Sequence, residues 1–341
     1  MSEYIKKFSV ANTNKYKRSN TVTEIFFGLG LGEVGYVIGP PDIGKSYLSL
    51  SLAYEAALGS PFIGISPNNN TSFKVMYAPY EDRVSTVFER MSDQLDNFSE
   101  EQVAQLEENL AFYTNDAPIA SPQVRNINAT NAVEALIKDV KDYDLLIIDT
   151  IRYAMGAAGE VQDDSQLKMT LNEIARKANV AILINHHLTK NQGKKKGDEV
   201  NSTGGSGLST SQSQSKFHLF INKNESTSKL ELVHSKANYI DSSNRINPNA
   251  PLTLEFINNL LVSERYSTHG IISDSNSLNT RSEFPDVEEQ IENDNIKAMA
   301  LMNKIPLDDS SDDDTFNEIL SKPKEPNSDG SQDIFDEMFN R

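Results

Sequence analysis

The chain of 341 residues contains no cysteine. That excludes a disulfide framework and any thiolate metal site. No apolar run approaches the roughly 18–20 residues a membrane helix needs. The first ten residues, MSEYIKKFSV, lack the apolar core of a secretory signal, so a cytoplasmic protein is expected. Positive charge is also scarce, and the formal net charge is −17. Spread evenly, that charge would repel nucleic acid. It is not even: residues 271–341 hold 18 acidic against 6 basic residues, a net −12, which leaves only −5 for residues 1–270. The acidity belongs mainly to the C-terminal tail and says little about what the rest binds.

What the chain does have is a complete phosphate loop. Gly39-Pro40-Pro41-Asp42-Ile43-Gly44-Lys45-Ser46 fits G-x-x-x-x-G-K-[ST]. It lies between an apolar strand-like run, Val34 to Ile38, and a helical pattern from Tyr47 to Ala57. Gly39 and Gly44 let the backbone curl so that successive N–H groups face phosphate oxygens, and the helix onset adds its positive dipole end. Lys45 reaches the β- and γ-phosphates, and Ser46 can hold Mg²⁺. ATP and Mg²⁺ are therefore the expected ligands. The competing explanation is a chance glycine-rich turn ahead of a core helix.

Three further positions carry chemistry. The run 144–149 ends in Asp149, where a carboxylate at the end of a buried strand can hold Mg²⁺ through water; a helix-capping role is the alternative. Glu81 and Asp82 follow the strand-like run 73–78. Glu81 is the candidate base that orients and deprotonates water, while Asp82 suits the N-cap of a helix starting at 84. Asn185-His186-His187 ends the run 180–185, where a polar side chain can bond the γ-phosphate and report its loss. The two histidines point to opposite faces of an extended segment, which argues against a shared metal.

Residues 21–262 alternate strand-like and helical runs, predicting an α/β domain with a mostly parallel central sheet. Strands are expected at 34–38, 73–78, 144–149, 180–185, 217–222 and 229–234. Helices are expected at 45–58, 84–97, 100–109, 130–140 and 163–178. Residues 1–20 read as a polar, mildly basic arm, and 191–215 as a long Gly-, Ser- and Lys-rich loop. Residues 263–341 read as an acidic, largely disordered tail. It ends in an apolar cluster, Ile334, Phe335, Met338 and Phe339, suited to folding on a partner's groove.

The order of these motifs, with Leu-Leu-Ile-Ile-Asp-Thr-Ile-Arg at 145–152, His-His-Leu-Thr-Lys at 186–190 and His-Ser-Lys-Ala-Asn-Tyr at 234–239, resembles the RecA-type ATPases of the DnaB superfamily. Within it, the RepA-type hexameric replicative DNA helicases are the nearest likeness, over about residues 25–262. The resemblance implies a RecA-like P-loop NTPase core and an ATP-driven, ring-forming homo-oligomer acting on single-stranded DNA. It matches Glu81 to the catalytic glutamate, Asp149 to the metal-holding acid and one of His186 and His187 to the γ-phosphate sensor. Lys236 falls where relatives present a basic residue to the neighbouring subunit's ATP. Residues 191–215 fall where relatives contact DNA, and Lys194, Lys195 and Lys196 suit strand tracking through phosphates. One departure is clear: the segment 204–216, where relatives carry an arginine finger, has no arginine. Gln214 stands at that position, and Lys216 is the nearest cation. An alternative function is a regulatory P-loop ATPase that binds DNA and partner proteins without unwinding.

Overall fold

The computed structural model describes residues 9–15, 17–18, 22–67, 70–115, 117–119, 127–155, 164–187 and 215–267. The chain divides after Ser277, and all described residues belong to the first unit. The acidic tail, its apolar cluster and Lys194, Lys195 and Lys196 lie outside the described residues.

Eleven strands and eight α-helices are described. In chain order they are α1 (Val10–Lys15), β1 (Glu24–Phe26), β2 (Leu29–Gly30), β3 (Val34–Gly39), α2 (Lys45–Leu58), β4 (Val75–Pro79), α3 (Val84–Ser92), α4 (Glu100–Asn109) and β5 (Leu110–Phe112). Then come α5 (Ile127–Val140), β6 (Leu145–Asp149), α6 (Ile151–Ala154), α7 (Asp164–Ala178), β7 (Ala181–His187), β8 (Phe217–Lys223), β9 (Leu230–Ala237), β10 (Leu252–Ile257), β11 (Leu260–Ser263) and α8 (Glu264–Ser267).

Nine strands form one sheet in the order β11-β10-β9-β8-β3-β7-β6-β4-β5. The six from β8 to β5 run parallel, and β9, β10 and β11 extend the sheet antiparallel. This is the mostly parallel α/β arrangement expected from the alternating strand-like and helical runs. Strands β3 and β6 are buried along their whole length, as strands covered on both faces must be. Alternation sorts their side chains into two cores. Val37, Ile147 and Leu183 pack toward α2, with Leu48 and Leu52. Ile38, Ile148 and Ile184 pack on the other face with Leu167, Leu171 and Ile174 of α7. The phosphate-loop strand thus lies mid-sheet, with β7 between it and the strand that ends in Asp149.

Helices α2 and α4 have the expected bounds. A single helix over 84–97 is not formed. It stops at Ser92, and Leu95–Asn97 turn as a 3₁₀ segment. The reason is polar: buried Gln94 accepts from Tyr54 Oη at 2.7 Å and donates to the Asn259 carbonyl at 2.8 Å, while Asn97 Nδ2 donates to the Asn258 carbonyl at 3.1 Å. These bonds pull the chain out of helical register and dock the β10–β11 hairpin. That hairpin was not expected. Its turn is Asn258-Asn259, both with positive φ (44° and 63°), the backbone a two-residue type I′ connection requires.

One buried acid organises a whole segment. Glu55, fully buried on α2, accepts backbone N–H bonds from Phe62, Ile63 and Gly64 on one oxygen and from Ile65 and Ser66 on the other, at 2.7–3.0 Å. Five donors compensate the desolvated charge and fix the chain after α2. At the N-terminal side, Arg18 pairs with Glu24 and with both oxygens of Glu33, tying residue 18 to the sheet domain. At the C-terminal side, Tyr266 covers Gly64, where any Cβ would collide with its ring.

Candidate active site

The loop of residues 39–46 leaves β3 through a position only glycine can fill. A Cβ on Gly39 would lie 2.7 Å from the Ile221 carbonyl oxygen of neighbouring β8. Asp42 (φ 58°) and Gly44 (φ 97°) then turn the chain left-handed into α2. Gly44 caps that helix without a side-chain hydrogen bond, and no acid stands in the first turn. The first-turn N–H groups and the positive dipole end are therefore directed at the loop's concave side, the arrangement that binds phosphate.

Lys45 is 4 % exposed. Its Nζ donates to the carbonyls of Pro40 at 2.6 Å and Gly39 at 3.3 Å, arching over the loop. Burial lowers its pKa to about 8, against the raising influence of Asp149, Glu81 and Asp42. One desolvated cation thus faces three carboxylates. Ser46, half-buried, starts the same helical turn.

Asp149 ends β6 in a closed hydrogen-bond chain. Its Oδ2 accepts from Tyr77 Oη at 2.6 Å, and its Oδ1 accepts from Asn185 Nδ2 at 2.7 Å. Asn185 Oδ1 in turn accepts from Ser49 Oγ, one turn past Lys45, at 2.8 Å. Burial and the Asp149 charge push the Tyr77 phenol well above its usual pKa, keeping it a donor. The chain links the phosphate-loop helix to β7, β6 and β4, so each polar group is placed by the others. The Asp149–Thr150 peptide is cis.

Glu81 and Asp82 separate cleanly. The backbone N–H of Glu81 donates to the Asp149 carbonyl at 3.0 Å, and its carboxylate, about one-third exposed at 37 %, lies 3.4 Å from His187 Nε2. Asp82 does not cap the next helix as expected. Arg83 occupies the N-cap with no side-chain bond, and Asp82 instead accepts from Arg90 Nη1 at 2.6 Å, because Arg90 emerges two turns along α3 on the same side. Arg90 also rests over the Tyr47 ring, whose edge-to-face partner at 5.3 Å is the half-exposed Phe256 of β10. These three residues flank the loop and were not foreseen.

The histidine pair divides as alternation demands. His187 shares the face of Asn185 and meets Glu81. His186 lies on the opposite face, buried, with neither ring nitrogen hydrogen-bonded, and burial lowers its pKa to about 4. It is a neutral core histidine. Among the described residues, no three His, Asp or Glu side chains gather as a metal-binding group.

Lys216 and Lys236 are not beside this phosphate loop. Phe217 of β8 pairs with Gly35, and Lys236 of β9 pairs with His218, so both lysines sit level with the start of β3. The loop follows its end, about 13 Å away for four strand residues.

Phosphate loop, buried strand-end acid and sheet order together define a P-loop ATPase. The chain belongs to the AAA domain family, whose model matches residues 19–193, just over half of the sequence. A search of curated proteins gave no match. Solved structures similar to this chain include the RadB recombinase, 16% identical over 69% of this chain and 91% of that one, with a TM-score of 0.46. A KaiC-like protein from Pyrococcus horikoshii is 13% identical over 71% of this chain and 99% of its own, TM-score 0.48. The ATPase domain of G40P is 13% identical over 67% and 84%, TM-score 0.47. No helix among the described residues is long and apolar enough to cross a membrane.

Proposed function

We propose that this chain hydrolyses ATP at residues 39–46 and uses the cycle to move along single-stranded DNA as a homo-oligomeric ring, hexameric like the RepA-type helicases it resembles, serving replication of a plasmid, phage or other mobile element. The observation that carries the hydrolytic part is the convergence of buried Lys45, the fixed Asp149 and the accessible Glu81–His187 pair at the ends of adjacent strands. Loop N–H groups hold the phosphates, and Lys45 turns from the Gly39 and Pro40 carbonyls to the β/γ-phosphates. Ser46 and Asp149 would hold Mg²⁺, which would neutralise phosphate charge there; the bonds from Tyr77 and Asn185 fix the Asp149 carboxylate for that role. Glu81 orients water and takes its proton. His187, bonded to Glu81, is the member of the histidine pair we assign to contacting the γ-phosphate and reporting its loss. Asp82, committed to Arg90, plays no part in proton transfer.

The DNA part rests on Lys194, Lys195 and Lys196 and on the family likeness. A second reading, a regulatory ATPase that does not unwind, is favoured by the absence of arginine from 204–216. A strand-displacement assay on the full chain separates the two. ATP-dependent unwinding that disappears in Glu81→Gln supports the helicase; ATP turnover without displacement supports the regulatory protein.

A further inference from the structure

The start of β3 carries a second concave site, away from residues 39–46. It is a cavity of about 220 Å³ whose lining includes Arg176 and Asn172 of α7, Lys216, Tyr239 and Glu33. The sequence of α7 explains the cationic wall. Leu167, Leu171, Ile174 and Ala175 are buried against the sheet, so Lys168, Asn172 and Arg176, four residues apart, form a row along the margin of that face. Lys216 is placed by its neighbours. The hydroxyl of buried Ser215 donates to the Phe217 carbonyl at 2.8 Å and accepts from the Phe217 N–H at 3.1 Å, and the Asn238 N–H donates to the Lys216 carbonyl at 3.1 Å. Lys236 stands within the electrostatic reach of Lys216 and Lys168, and burial together with those charges lowers its pKa.

The one acid in the lining does not cancel this charge. Arg18 holds both Glu33 oxygens, and the Gly30 N–H donates to one of them at 3.0 Å. Arg18 also stacks on Tyr239 at 4.5 Å, closing that side. Among the described residues, no carboxylate pairs with Arg176 or Lys216. Cations gathered around a concave wall, with the nearby acid already matched, favour an anion from solution. The cavity is smaller than the roughly 300–1,000 Å³ of a site for a drug-sized ligand, so the anion is compact. A guanidinium fork selects oxyanions with two oxygens in reach, and an ammonium adds a point charge. Donors on α7 and at the start of β8 come from separate elements, which suits a tetrahedral oxyanion better than a planar carboxylate. We infer that this cavity binds a phosphate group, with Arg176 on two of its oxygens, Lys216 on a third and the Asn172 amide as a neutral donor. The phosphate is free in solution or terminates a nucleic-acid strand, and the chemistry of the two is shared. The inference goes beyond the proposed hydrolysis and does not depend on it.

The test titrates inorganic phosphate into the full chain by calorimetry, with Lys45→Ala present throughout so that residues 39–46 contribute little. Adding Arg176→Ala and Lys216→Ala should weaken binding about tenfold or more, the effect of losing one charge-assisted hydrogen bond or several. Arg176→Lys, which keeps the charge and loses the fork, should fall between the two. Both side chains are exposed, so thermal melting without phosphate should not change. A second arm compares one oligonucleotide with a 5′-phosphate and with a 5′-hydroxyl. Tighter binding of the phosphorylated strand, lost in Arg176→Ala, Lys216→Ala, assigns the site to strand ends. Phosphate binding without that difference assigns it to the free anion. Equal phosphate affinity with and without the two pocket substitutions would overturn the inference. So would a Lys45→Ala chain that binds neither inorganic phosphate nor the phosphorylated end. Neither result touches the proposed hydrolysis, which stands or falls on ATP turnover by the unsubstituted chain.

Discussion

The two ends of β3 handle charge in opposite ways. At the loop end, Ser49, Asn185, Asp149 and Tyr77 form a buried chain in which every donor meets an acceptor, and Lys45 faces three acids. At the start of the strand, Arg176, Lys216, Lys236 and Lys168 crowd together, and burial and its neighbours lower the pKa of Lys236. A matched network holds its geometry by itself. A cluster of like charge is held by the fold around it and is suited to something negative arriving from outside. The first end has the fixed geometry that the proposed hydrolysis needs, and the second an excess of positive charge.

The strongest way to break the comparison is at the loop end. Lys45→Ala removes the cation from the phosphates and should abolish ATP hydrolysis. Glu81→Gln should retain nucleotide binding and lose about 10²–10⁴-fold in turnover, because the amide takes no proton. Asp82→Asn, which loosens an Arg90 pair, should keep most activity; a dead Asp82→Asn with an active Glu81→Gln would exchange the two roles.

Stability should distinguish the ends next. Asn185→Ala leaves Asp149 Oδ1 and Ser49 Oγ buried without the bonds Asn185 makes to them, a loss of about 2–3 kcal/mol in urea denaturation. The pair Lys216→Ala, Lys236→Ala relieves like-charge contact and should change stability by no more than about 0.5 kcal/mol. Equal costs at both ends would erase the distinction.

A smaller effect is pH-dependent. His186 and His234 are buried and neutral, each with a pKa lowered from 6.5 to about 4. Between those values the unfolded chain binds more protons than the folded one, so stability is full above pH 6.5 and falls as pH drops toward 4. The loss is at most about 1.4 kcal/mol per pH unit for each histidine. His186→Gln should flatten the slope measured by denaturation at pH 6.5, 5.5 and 4.5, and an unchanged slope would mean that His186 is already charged in the fold. The smallest expected effect is on DNA. Replacing Lys194, Lys195 and Lys196 by Ala should reduce the salt slope of single-strand binding by about 2. An unchanged slope would place the DNA elsewhere, with the basic end of β3 as the next surface to test.

Much of this was legible in the sequence because it depends on local pattern. The phosphate loop needs glycines at fixed spacing, and apolar runs of four to six residues ending in Asp149 or Asn185 read directly as buried strands. The pairing of distant polar groups did not show. Nothing local links Tyr77 and Ser49 to Asp149, although a serine one turn past Lys45 on an apolar helix was a signal. Glu55, a lone acid among Leu, Ala and Tyr, was another, and its five backbone partners lie in the segment that follows. The Asn-Asn turn at 258–259 between two apolar runs was a readable hairpin. Asp82 satisfied a capping rule, but tertiary pairing with Arg90 overrode it. Arg176 carried no motif at all, since only the packing of α7 against the sheet brings it to Lys216.

The proposal that an assembled ring hydrolyses ATP is tested most directly by ATPase rate per subunit against protein concentration, with sedimentation on the same samples. The account predicts a rate that is low for the monomer and rises with assembly, in step with the fraction of subunits in rings. A monomer that hydrolyses ATP at the full rate, with DNA present or absent, would contradict it.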